Sequence, residues 1–172
     1  MIKCNNVQEQ AQDLSVQIFA RWQELLQSGD FILGDEVMAF EAWMSGRCGG
    51  AHAVALNSGT DALFLALRAL EIGPGDEVIT CSNTFVATVG AIVSTGARPI
   101  LADVGNHELM NVDTIAPLLS DRTKAVIPVY LRGRPLDIDA IIGLCRSREV
   151  AVIEDCAQAI GTTIDEIGRA HV

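Results

Sequence analysis

Gly73-Pro74-Gly75-Asp76-Glu77-Val78-Ile79-Thr80-Cys81-Ser82-Asn83-Thr84-Phe85 is the stretch that decides the fold. A Gly/Pro turn leads into a short apolar run, the run ends in small polar residues, and an apolar helical pattern follows near 84–95. A run of this length between turn signals reads as a buried strand. The same unit recurs on both sides. Apolar runs near 53–56, 98–102, 124–129 and 150–153 join 77–81 as expected strands, and helices are expected near 60–71, 84–95, 114–119 and 138–148. The last helix is the clearest, with Asp137 as its cap and Ile138, Ile141, Ile142 and Cys145 on one face. Strand starts recur every 21 to 26 residues, the repeat of βαβ units on a parallel sheet.

Upstream, Val7, Ala11, Leu14, Ile18, Trp22, Leu25 and Leu26 fall three or four apart, which predicts a long amphipathic helix ended by Ser28-Gly29-Asp30. A second helix is expected after Gly34, capped by Asp35, with Val37, Phe40, Trp43 and Met44 facing inward. The 172 residues carry 22 acidic and 12 basic side chains, a net charge of −10, with 49% hydrophobic residues. That acidity argues against a nucleic-acid binder, whose footprint is a basic patch. Mean hydropathy is +0.31 and residues 78–97 carry no charge, so a membrane span has to be considered. Seven Ser, Thr and Asn residues and two glycines in that window favour a buried strand and helix instead. No signal-peptide pattern opens the chain. Five cysteines, odd in number and without a Cys-x-x-Cys pair, disfavour zinc and disulfide frameworks and fit a reducing compartment, hence a cytoplasmic protein.

In an open parallel sheet, ligands bind beyond the carboxyl ends of the strands. The segments there are Asn57-Ser58-Gly59-Thr60-Asp61, Ser82-Asn83-Thr84-Phe85, Asp103, Tyr130-Leu131-Arg132-Gly133-Arg134 and Glu154-Asp155-Cys156-Ala157-Gln158. Ser58-Gly59-Thr60 precedes an apolar helix, where exposed amides, two hydroxyls and the helix dipole suit a phosphate; alternatively, Ser58 or Thr60 simply caps the helix. Asp155 follows a buried strand, and a carboxylate there is costly unless paired. It could hold a cationic ring nitrogen, with Gln158 donating to a nearby oxygen, or it could cap the next segment. Phe85 could stack on a planar ligand or pack in the core. His52 and His107 are isolated, with no metal-ligand spacing, and no histidine near Cys156 supports a cysteine nucleophile.

Taken together, Phe31-Ile32-Leu33-Gly34-Asp35-Glu36-Val37, Ser58-Gly59-Thr60-Asp61-Ala62-Leu63, Gly73-Pro74-Gly75-Asp76-Glu77-Val78, Asn83-Thr84-Phe85-Val86-Ala87-Thr88 and Ile153-Glu154-Asp155-Cys156-Ala157-Gln158-Ala159 resemble the DegT–StrS group of sugar-nucleotide aminotransferases, fold type I enzymes using pyridoxal 5′-phosphate. Each motif alone is weak, but together they stand in the family's order and spacing. The resemblance implies a three-layer α/β/α large domain with a mostly parallel sheet. It implies Ser58, Gly59 and Thr60 at the cofactor phosphate, Phe85 on the pyridine ring, Asp155 on the ring nitrogen and Gln158 near the phenolic oxygen. It further implies amino transfer from glutamate or glutamine to a nucleotide-linked keto sugar, in a homodimer, with no membrane or nucleic-acid partner.

The family's Schiff-base lysine follows the Asp155–Gln158 motif by roughly 25 residues, beyond Val172, and neither Lys3 nor Lys124 holds that position. No catalytic residue is therefore assigned within the chain. The expected organisation is an N-terminal helical arm at 1–30, an incomplete cofactor-binding domain at 31–165 and a non-native tail at 166–172. The tail's codons can be chosen to spell a sequencing adapter, and the whole is expected to be a truncated N-terminal fragment. Tyr130 stands where the family usually has His, and Arg132-Gly133-Arg134 where Tyr-Gly-Gln is common; both bear on substrate identity. A sugar dehydratase of the same group, with histidine replacing the lysine, is the nearest alternative, followed by a non-catalytic binding module or remnant. A dinucleotide-binding oxidoreductase is disfavoured, because no Gly-x-Gly-x-x-Gly follows the first expected strand.

Overall fold

A computed structural model describes residues 6–105, 107–164 and, in backbone only, 167–168. The chain divides into two compact units, Met1–Ala42 and Trp43–Val172. In the first, α1 spans Val7–Ser28 and stops at Gly29, whose φ of 77° is the left-handed closing turn that glycine adopts without strain. Phe19 and Trp22 meet edge to face at 6.2 Å. No residue of α1 is buried. Helix α2, Asp35–Arg47, begins one residue earlier than expected: the Gly34 carbonyl receives the amides of Val37 and Met38, and Asp35 is the first helical residue rather than the cap. The inward face expected for α2 is not a buried one. Val37 and Met44 are half-buried and Phe40 and Trp43 half-exposed, because a periodic pattern records which face is apolar and not what covers it.

The second unit is built on a four-stranded parallel sheet in the order β2-β1-β3-β4, with β1 at Glu77–Cys81, β2 at Arg98–Ala102, β3 at Thr123–Ile127 and β4 at Ala151–Val152. Helices cover both faces. Side chains alternate along a strand, so Val78, Ala125 and Ile127 face Leu63, Leu67, Ala91 and Ile92 of α3 (Gly59–Ala69) and α4 (Val86–Ser94). Ile79, Cys81 and Val126 face Ile115 of α5 (Val112–Ile115) and Ile138, Ile141 and Cys145 of α6 (Ile138–Arg146). The result is an α/β/α sandwich with a core on each side of the sheet.

Four of the five expected strands are present. The run at 53–56 lies outside the sheet, and Val54 is exposed. The helix expected at 114–119 is one turn of α5 followed by a 3-10 turn at Ala116–Leu118, where Pro117 ends the regular pattern. A short antiparallel pair joins β5 (Thr163–Ile164) to β6 (Ile167–Gly168). The remainder of the expected 166–172 tail, like Lys3, lies outside the described residues. Among the described residues no helix is long and apolar enough to cross a membrane. The apolar stretch at 78–97 is β1, its following turn and α4, with a buried face on each element.

Candidate active site

The carboxyl ends of β1, β3 and β4 bring Asp155 beside the start of α4 and the Tyr130 turn that leads to the Arg132–Gln158 contact. Asp155 continues the ladder beyond β4: its amide donates to the Pro128 carbonyl at 2.9 Å, and its carbonyl accepts from the Tyr130 amide at 3.0 Å. This pairing fixes the backbone on both sides of a carboxylate that is only 4% exposed. Asp155 Oδ2 accepts a 2.8 Å hydrogen bond from the Thr88 hydroxyl on α4, and Oδ1 accepts from the Ala157 amide at 3.2 Å. Among the described residues no cationic side chain pairs with it. Its negative charge contributes to the environment of Cys81, whose thiol is pushed up to about 11, mainly by burial and secondarily by Asp155. A thiol held protonated in this way is not a nucleophile at neutral pH. Cys156 is buried too.

Gln158 is exposed, and its amide is oriented by the main chain: Oε1 accepts from the Arg132 amide at 2.8 Å. With the carbonyl oxygen so engaged, the two Nε2 protons are directed to the other side. Arg132 itself holds a φ of 58° and is followed by Gly133 at 72°, and this tight left-handed pair is what turns the amide toward Gln158. The Arg132 guanidinium meets Glu108 at 2.6 Å. Arg134 donates to the His107 carbonyl at 3.2 Å, so His107 enters the structure as an exposed backbone acceptor.

Phe85 is the N-cap residue of α4 and is 69% exposed, so its ring is not the core residue that packing alone would have made it. At the start of α3, Ser58 acts as the cap: its oxygen accepts from the Asp61 amide and its hydroxyl donates to the Asp61 carboxylate, both at 3.1 Å. That commits the Ser58 side chain. The amides of Gly59 and Thr60 sit in the first helical turn, where no preceding carbonyl of the helix can reach them. Ser58 thus caps the helix, and the Gly59 and Thr60 amides are the ones an anion at this turn would meet.

Three contributors escaped sequence reasoning. Thr88 and Thr84 form the hydroxyl contact behind Asp155, and the Arg132 amide aims Gln158. The spacing of Thr84 and Thr88, four apart at the start of a helix, was the visible signal for the first two. The third is a backbone group and left no trace in side-chain identity. Tyr130, fully buried, donates through its hydroxyl to Glu154 beside Asp155.

The sequence profile described as the DegT/DnrJ/EryC1/StrS aminotransferase family matches residues 12–170. The chain belongs to that family. Its DegT/DnrJ/EryC1/StrS relatives include the UDP-N-acetyl-3-dehydro-alpha-D-glucosamine 3-aminotransferase of Acidithiobacillus ferrooxidans, 49% identical over 146 residues, or 84% of this chain and 40% of the relative. Among solved structures of similar fold, DesV of S. venezuelae, in complex with a ketimine intermediate, superposes with a TM-score of 0.87 at 39% identity, covering 90% of this chain and 42% of that one. NtdA of Bacillus subtilis, with bound cofactor PMP, gives 0.85 at 34% identity over 88% of this chain and 35% of that one. The chain therefore spans about two fifths of the length of the curated relatives it matches.

Proposed function

We propose that this chain forms the cofactor-holding part of a pyridoxal-phosphate-dependent aminotransferase that moves an amino group from glutamate or glutamine to a nucleotide-linked keto sugar, in the cytoplasm and as a homodimer. The observation that carries the reading is Asp155. A carboxylate buried beyond the end of β4, with no cationic partner among the described residues, suits a protonated ring nitrogen, which would offset its desolvation. The surrounding groups fit the rest of the cofactor. The Gly59 and Thr60 amides at the N-terminus of α3 would hold the phosphate, with Ser58 shaping that turn as its cap. The exposed Phe85 ring would lie on the ring face, and the Nε2 protons of Gln158 would meet the phenolic oxygen.

Pyridoxal phosphate, when bound, supplies an electron sink for the pair released at the substrate carbon bearing nitrogen. The work of the chain's own residues is to bind and orient: Asp155 keeps a proton on the ring nitrogen, Phe85 fixes the ring plane and the α3 amides anchor one end. Proton transfer at the substrate carbon needs an amine base. Lys124 cannot serve. It is the second residue of β3, near the amino edge of the sheet, five residues before the Val129 bridge to Asp155, which at strand rise is roughly 16 Å away. By itself the chain should hold cofactor and not turn over.

The test is binding of pyridoxamine 5′-phosphate to the full chain, followed by calorimetry, with Asp155→Asn beside it. Loss of a charge-assisted hydrogen bond of roughly 1.5–3 kcal/mol weakens binding about tenfold or more. Equal affinities for the two proteins, or transaminase turnover by the chain alone, would overturn the reading.

A further inference from the structure

Thr88 lies in the first turn of α4, is 1% exposed, and sends its hydroxyl proton to Asp155 Oδ2 across 67 residues of sequence. A hydroxyl has one proton. With that proton committed to a carboxylate, the 2.8 Å contact between Thr84 Oγ1 and Thr88 Oγ1 must have Thr84 as its donor. The three groups form a directed chain from Thr84 through Thr88 to Asp155, each donor polarising the next. A helical threonine more commonly turns its hydroxyl to the carbonyl one turn back; here it reaches out of its helix to another element. Thr84 is also the residue before Phe85, so one chain of hydroxyls fastens the loop bearing the exposed ring to the buried carboxylate.

We infer that Thr88, backed by Thr84, is the positioning residue for Asp155, holding Oδ2 from the α4 side so that the carboxylate keeps a single orientation toward the ring nitrogen of the cofactor. The inference rests on the proposed role of Asp155. Ala157 fixes the other oxygen through a main-chain amide, which leaves Thr88 as the side chain that sets the rotation of the carboxylate plane. Valine at 88 keeps the shape and β-branching while removing the donor; serine keeps the donor.

The decisive measurement compares two probes on the full chain: pyridoxamine 5′-phosphate and its analogue with carbon in place of the ring nitrogen. The ratio of their dissociation constants reports the Asp155–nitrogen contact alone, because phosphate and ring-face contacts are common to both. In the unsubstituted chain the ratio favours the nitrogen compound by about tenfold or more. Thr88→Val brings the ratio toward unity with the analogue's affinity little changed, and Thr88→Ser restores it. If Thr88→Val weakens both probes equally, or leaves the ratio intact, the positioning role is overturned. An unsubstituted chain that fails to distinguish the probes overturns the reading of Asp155 itself, and this inference with it. Circular dichroism checks folding. Should Thr88→Val not fold, Thr84→Val carries the same test, removing only the donor behind Thr88; it lowers the ratio, and an unchanged ratio overturns the inference.

Discussion

Glu77 opens β1 at the amino edge of the sheet, where a carboxylate ordinarily reaches solvent. It is instead 4% exposed. Ser120 donates to Oε2 at 2.6 Å, and Arg122 donates to Oε1 through Nε at 3.1 Å and through Nη2 at 2.7 Å, with Arg98 at 3.8 Å. These contacts, the Ser120 bond first and Arg122 next, hold its carboxyl below the ordinary glutamate range against the opposing effect of burial. A lowered folded-state pKa contributes stability above the unfolded value of about 4.3, and that contribution is lost as pH falls through the folded value. Glu77→Gln should therefore melt below the unsubstituted chain at pH 7, and the difference should shrink as melts are repeated toward roughly pH 2.5; a pH-independent difference would refute the role. Of the residues proposed to hold the cofactor, Phe85, Asp155 and Gln158 stood out in the sequence because side-chain type and position beyond an expected strand both pointed at a ligand, and Gly59 and Thr60 because they open an apolar helix. Thr88 left only its spacing from Thr84 as a signal, since a buried threonine otherwise reads as core, and the Arg132 amide left none.

Secondary elements were legible wherever a pattern is written within the element itself. The helix capped by Asp137 is present as expected, its cap oxygen taking the Ala140 amide at 3.2 Å. Strands β1 to β4 fall on their apolar runs, but a strand is made by its neighbour. The run at 53–56 has a strand's composition and no place in this sheet. Turns between elements depend on contacts that are far apart in sequence. Gly96, between α4 and β2, has a φ of 86°, and a Cβ there would sit 2.9 Å from Pro74 Cγ in the turn before β1. Gly96→Ala combines a left-handed alanine with overpacking and should cost about 2–4 kcal/mol in urea unfolding. A loss under roughly 0.5 kcal/mol, the scatter expected of a neutral surface change, would show that the two turns move apart freely.

Viewed as one molecule, the chain presents apolar side chains without covering them. Phe19, Trp22 and Leu26 on α1 are each more than half exposed. An amphipathic helix gains its stability from burying such a stripe, so the proposed homodimer has a direct consequence in solution. Sedimentation equilibrium should return twice the chain mass, and Trp22→Glu with Leu26→Glu should return the monomer; a monomeric unsubstituted chain would refute the dimer.

The turn at Arg132-Gly133 separates two kinds of duty along a single residue. Its amide aims Gln158, while its guanidinium extends to Glu108. Any residue that accepts the left-handed backbone, glycine and asparagine above all, supplies that amide, so such an exchange at 132 would leave the Gln158 contact in place. The side chain at this position can therefore change its partner at Glu108 without releasing the group that aims Gln158.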